Sequence, residues 1–143
     1  MSEDLLKVQR HFAQIPGHES LECEVSENGQ MILKVIASTA TMKLLRRLRA
    51  SNPDISHWAI PSGNSISEIL VRELILKVTG SWAFPLDQEE LCHCRAIRTS
   101  RVDQAIVIGA HHVAKIRRMT SANTACGTCL PEIEKILQFR LKS

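Results

Sequence analysis

The sequence predicts an α+β protein: a small three-stranded sheet packed with helices, followed by a small all-α helix–turn–helix domain. Three observations carry that reading. Residues 20–37 alternate apolar and polar side chains on both sides of Asn28-Gly29, the pattern of a half-buried hairpin. Residues 65–79 repeat apolar side chains at helical spacing between a start signal and a stop signal. Residues 92–129 enclose further helical stretches between two close pairs of cysteines. The expected division is one domain over 1–80, a linker over 81–90 and a second domain over 91–143.

Taken in order, residues 2–14 read as an amphipathic helix, with Leu5, Leu6, Val8, Phe12 and Ile15 near one face and Pro16-Gly17 ending it. His11 and His18 flank that end as surface or capping groups. In the hairpin that follows, Leu21, Cys23 and Val25 share one face, so Cys23 is expected to be a small core residue. Asn28-Gly29 predicts a type I′ turn with two positive-φ residues, and QMILKVIA returns as the partner strand. Ser38 or Thr39 should cap a helix running through Ala50, with Leu44, Leu45 and Leu48 inward and Arg46, Arg47 and Arg49 outward.

Asn52-Pro53 breaks the chain, and ISHWAI is the candidate third strand. Ser65-Ile66-Ser67-Glu68 is a capping box, in which Ser and Glu side chains satisfy free N–H groups at a helix start. The helix it opens carries Ile66, Ile69, Leu70, Leu74, Ile75 and Val78 on its apolar face and stops at Gly80. It should be the core helix of the first domain. In the linker, Trp82 and Phe84 can each anchor the chain to a domain, and Pro85 stiffens it.

Beyond the linker, Thr99 or Ser100 is expected to cap a helix with Val102, Ala105 and Ile106 inward and Gly109 at its end. A second helical turn over His111–Arg118 follows. Pro131 suits a first helical position, and the last helix turns Ile133, Ile136, Leu137 and Leu141 inward.

Charge is unevenly spread. Residues 93–143 hold nine Lys/Arg against three Asp/Glu, whereas residues 1–92 hold nine against twelve. A basic half fits a solvated helix surface, an acidic protein partner met by electrostatic steering, or compensation of a nearby anionic centre. Nucleic acid is not favoured: the LLRRLR run lacks stacking aromatics. No apolar run approaches the roughly 20 residues that span a bilayer, so no membrane role is expected. The start, MSEDLLKVQRHF, is not a secretory signal. Cysteines paired for metal then fit the reducing cytoplasm. No Ser–His–Asp set, Gly-rich phosphate loop or paired carboxylate stands out, so no enzyme activity is expected.

The cysteines carry the chemistry. Cys92 and Cys94 are one residue apart, Cys126 and Cys129 two apart, with 31 residues between the pairs. Four thiolates select zinc or an iron–sulfur cluster over hard cations. Structural zinc usually takes C-x(2–4)-C knuckles. The tighter C-x-C favours a two-iron cluster, with zinc as the alternative and disulfides or inert thiols behind both.

This stretch, with CHC at 92–94, a helix ending at Gly109, Thr120, CGTC at 126–129 and PEIEKIL at 131–137, resembles the BFD-like [2Fe–2S] domain, the family of bacterioferritin-associated ferredoxin. The same domain forms the middle part of NifU-type cluster assembly proteins. The resemblance covers roughly residues 91–138 and implies Cys92, Cys94, Cys126 and Cys129 as ligands of a [2Fe–2S] cluster. It implies single-electron exchange with a redox or cluster-acceptor protein. Family members often place glycines before the second pair, where this chain has Ser121, Ala122, Asn123, Thr124 and Ala125; Asn123 tolerates the left-handed conformation best. His93 and His111 are reserve ligands, and Thr120 and Thr128 are candidate donors toward sulfur or ordinary caps. The N-terminal element order is weakly similar to a NifU-type scaffold without its cysteine ligands, which implies a docking role.

Overall fold

The computed structural model describes residues 8–92, 96–122 and 129–141, with the backbone alone at Cys92. Its architecture is α+β: a three-stranded antiparallel sheet, a two-stranded ribbon and five α-helices among the described residues. Two compact units emerge. One runs through Pro61 and includes Leu70–Trp82; the other holds Ser62–Ile69 and Ala83 onward.

In the first unit, strands β1 (Gln9–Ile15), β2 (Glu19–Val25) and β3 (Met31–Ile36) pair in the order β1-β2-β3. The expected N-terminal helix is corrected here: residues 9–15 form a strand, while the part of that helix over 1–7 lies outside the described residues. The reason is period two. Ala13 and Ile15 are buried on the inner face, whereas Phe12, which a helix would have turned inward, is 41% exposed on the outer one. Leu21 and Cys23 lie opposite Ala13 and His11 and complete the inner face as expected. On the outer face Glu24 bonds Arg10 and Lys34, each at 3.1 Å, and these cations hold its carboxyl below the usual range, Lys34 most strongly.

The two expected strands pair, but the turn is not type I′ and the register is shifted by one residue from the one such a turn would set. Ser26 pairs with Gln30 (N–H to O 2.8 Å), and the Gly29 N–H donates to Ser26 O at 2.9 Å, making a three-residue loop. Gly29 alone turns left-handed, at φ 85°, while Asn28 uses its side chain on Ser26 Oγ and the Gln30 N–H. This is a type I turn closed by a glycine bulge.

Helix α1 (Thr39–Ser51) is capped by Ser38, whose Oγ accepts from the Thr41 N–H at 3.3 Å. Leu44, Leu45 and Leu48 are buried, as expected. The candidate strand ISHWAI instead forms a 3₁₀ turn over Ile55–His57. Local side-chain bonds override the strand pattern: Asn52 Oδ1 accepts from the Asp54 N–H, and Asp54 accepts from the Ser56 N–H. Ile55 and Trp58 become core, with Trp58 Nε1–H donating to Asn52 O at 2.7 Å.

Helix α2 (Ile66–Val78) opens on the predicted box: the Glu68 N–H donates to Ser65 Oγ at 3.2 Å. The Glu68 carboxylate reaches the Gly63 N–H at 2.9 Å and Ser65 Oγ at 2.8 Å. Ile69, Leu70, Leu74 and Ile75 are buried, and so are Val71, Arg72 and Glu73. The Arg72 guanidinium donates to Pro61 O, and Glu73 accepts from Lys77 Nζ. Gly80 (φ 77°) ends the helix in a Schellman motif, with the Ser81 N–H bonded to Leu76 O and the Gly80 N–H to Lys77 O. The two linker aromatics serve different units. Lys77 Nζ lies 5.2 Å from the Trp82 ring centre in the first. Phe84 meets Phe139 edge to face at 5.8 Å in the second.

The second unit adds a two-stranded ribbon to the expected helices: β4 (Glu90–Cys92) pairs with β5 (Ile97–Arg98). Helices α3 (Thr99–Ile108), α4 (Val113–Thr120) and α5 (Leu130–Arg140) follow. No helix among the described residues is long and apolar enough to cross a membrane.

Candidate metal centre

Cys92 reaches the site on strand β4, its Cα opposite Ile97 with a bulge between Glu90 and Cys92. Leu91, one residue earlier, is 4% exposed and anchors this strand in the core of the second unit. Ala96 closes the ribbon turn at φ 53°, a left-handed conformation rarely adopted by alanine. Cys94, with His93 and Arg95, lies outside the described residues.

The ribbon is tied to the chain before it. The Thr99 N–H donates to Glu89 O at 2.7 Å and Thr99 Oγ1 donates to Gln88 O at 2.6 Å. This corrects the expected cap: Thr99 is the first helical residue, Arg98 occupies the cap position, and the Thr99 hydroxyl reaches back rather than forward. Val102, Ala105 and Ile106 face inward as expected. Gly109 (φ 140°) turns the chain from α3 to α4, whose Ile116 is fully buried. His111 carries a buried Nε2 with no hydrogen-bond partner among the described residues.

Thr120 is a cap. Its Oγ1 donates to Ile116 O at 2.8 Å and accepts from the Ala122 N–H at 3.1 Å, so its proton is not directed at sulfur. Ser121 ends α4 at φ 66°. Ser121, which precedes the expected left-handed position at Asn123, is itself left-handed. Asn123, Thr124, Ala125, Cys126 and Thr128 lie outside the described residues.

Cys129 is 4% exposed and caps α5 through its carbonyl, which accepts from the Ile133 N–H at 3.1 Å. The unpaired N–H groups of a helix start favour negative charge, the form in which cysteine binds metal. Cys129 and Leu91 belong to one buried cluster with Val102, Ile106, Ile116 and Ile133. The helical hairpin therefore brings both ends of the 92–129 segment to a common core. Two groups in this unit were not foreseen. Asp103 and Arg140 form a paired-oxygen bridge, 2.7 Å on each side, between α3 and α5. The ribbon is the other; its three- and two-residue strands are too short for alternation to register.

Cys92 on β4 and Cys129 at the start of α5 stand at the two ends of the helical hairpin, and no group of metal-ligating side chains is gathered among the described residues; four soft thiolates would suit an iron–sulfur cluster or zinc. The family model described as BFD-like [2Fe-2S] binding domain matches residues 91–138, a family that binds such clusters. Its bounds enclose both cysteine pairs. No match was found among curated proteins or among solved structures.

Proposed function

We propose that this chain is a non-enzymatic [2Fe–2S] protein that passes single electrons to or from a protein partner in the reducing cytoplasm. The observation that carries the reading is the BFD-like match over residues 91–138, whose span contains the four cysteines read here as ligands, Cys92, Cys94, Cys126 and Cys129. The donor chemistry fits the group. Thiolates suit two-iron clusters, and the described members sit beside Leu91 and within the core of the second unit. When bound, the cluster would take up or release one electron.

The protein's own residues then set the conditions. The apolar cluster around Cys129 limits water at that ligand. Exposed Arg98, Arg101, Lys115 and Arg118 offset negative charge and steer an acidic partner toward this unit. The test is the iron and acid-labile sulfide content of anaerobically purified protein, with electron paramagnetic resonance after reduction. Iron and sulfide in equal amounts, with a signal lost in Cys92→Ala or Cys129→Ala, is expected. Stoichiometric zinc without sulfide would replace the reading with a zinc-stabilised module.

A second reading is cluster delivery, favoured by the order of a three-stranded antiparallel sheet and helices before the matched segment, similar to NifU-type proteins. Rapid transfer to an apo acceptor supports it; retention through redox cycling supports electron transfer.

A further inference from the structure

We propose that the free edge of β3, with the groove beside it, docks an extended acidic segment of a partner protein as an added strand. The site lies wholly in the first unit and is independent of the cluster reading. Its geometry follows from the register. Ser26 and Gln30 form a bonded pair, and bonded pairs alternate along an antiparallel ladder. Ile32, Lys34 and Ile36 therefore turn their main-chain groups toward β2, while Met31, Leu33 and Val35 turn theirs outward. Those outward groups have no partner among the described residues.

The opposite edge is treated differently. There Lys77 Nζ donates to Phe12 O at 2.7 Å, blocking the ladder with a charged side chain. Only the β3 side of the sheet offers an uninterrupted run of outward donors and acceptors among the described residues.

Chemistry beside the edge selects the occupant. Leu33 and Val35 with Met42, Leu45, Arg46 and Arg49 line an open groove of about 280 Å³. Arg46 and Arg49 form no ion pair among the described residues, and α1 carries Lys43 and Arg47 but no acidic residue. On the other face Ile32 and Ile36 are 52% and 74% exposed. A strand laid against β3 alternates its side chains between these two faces. Glutamates on the groove side would lay their methylenes on Met42 and Leu45 and their carboxylates against Arg46 and Arg49. Apolar residues on the other side would cover Ile32 and Ile36. Such strand addition draws affinity from main-chain bonds and selectivity from alternate side chains. A second copy of this chain is the poorer occupant. Its own β3 brings Lys34 and no acid, and pairing would gather the cations of two α1 helices.

The test uses the full-length, metal-loaded protein and a short fluorescein-labelled peptide of alternating Glu and Val, with a Lys–Val peptide as control. Saturable binding of the acidic peptide is expected, with slowed amide exchange at Met31, Leu33 and Val35. Leu33→Pro, which removes one outward N–H, should abolish binding. Arg46→Glu with Arg49→Glu, both at exposed positions and harmless to folding, should weaken it by at least roughly tenfold and turn preference to the Lys–Val peptide. Three results would each overturn the proposal. These are no saturable binding, equal affinity for both peptides, and a protein that is already a dimer and becomes monomeric on Leu33→Pro.

Discussion

Cys23 is the residue whose surroundings say most about its chemistry. It is fully buried at the centre of the sheet, opposite His11 on one side and Leu33 on the other. Burial, then the charges of Asp54 and Glu24, push its thiol from the ordinary 9.0 up to about 11. A thiol held protonated is a poor nucleophile and a poor ligand. Iodoacetamide at pH 8 should leave Cys23 unlabelled in native protein and label it in urea, as read by peptide mass spectrometry. The raised value also sets a pH window. The folded state holds the proton more tightly, so this contribution is complete below pH 9 and is lost as pH rises toward 11. Urea midpoints across that range should fall in wild type, and Cys23→Ala should remove this part of the slope.

At the scale of elements, the second unit depends on how α3 and α5 are joined. The Asp103–Arg140 bridge spans 37 residues, with Arg140 7% and Asp103 16% exposed at the side chain. Such a pair contributes little over an apolar substitute, yet removing one partner leaves a buried charge without compensation. Asp103→Asn should therefore cost about 3 kcal/mol. The double change Asp103→Leu with Arg140→Met should recover most of it. Urea unfolding of the metal-loaded protein checks both. The expectation that α5 buries Ile133 and Ile136 is met, because a wide apolar stripe is visible as spacing. Arg140 on the same helix was not legible as buried, because its partner lies on another helix. Period misled at the N-terminus: Val8, Phe12 and Ile15 satisfy a helical spacing, but the open side of β2 makes residues 9–15 a strand. Over 52–58 the strand pattern lost to side-chain bonds from Asn52 and Asp54.

For the whole molecule the consequence is an unequal response of the two units to metal. The first unit has its own sheet and a core that includes Leu21, Leu74 and Trp58. The second unit builds its own core, in which Val102, Ile106, Ile116, Ile133 and Ile136 are fully buried, and its cysteine pairs flank the helical hairpin in sequence. Metal binding to such a unit is coupled to its folding. Removing the metal anaerobically should lower amide protection over 91–138 while leaving β1–β3 near their original rates. Equal protection in both states would count against a metal role in that unit.

What the sequence determined by itself is local: two cysteine pairs at fixed spacing, the β2–β3 hairpin, the capped helices α1 and α2, and the resemblance over 91–138 that the family model bears out. Spacing along the chain encodes which side chains share a face, and each of these features is a matter of spacing. Only the tertiary structure decided that residues 9–15 join a sheet, that Asp103 meets Arg140, and that among the described residues β3 rather than β1 keeps an open edge. Those outcomes depend on which distant segment supplies the missing hydrogen bond or charge, and periodicity carries no record of a partner.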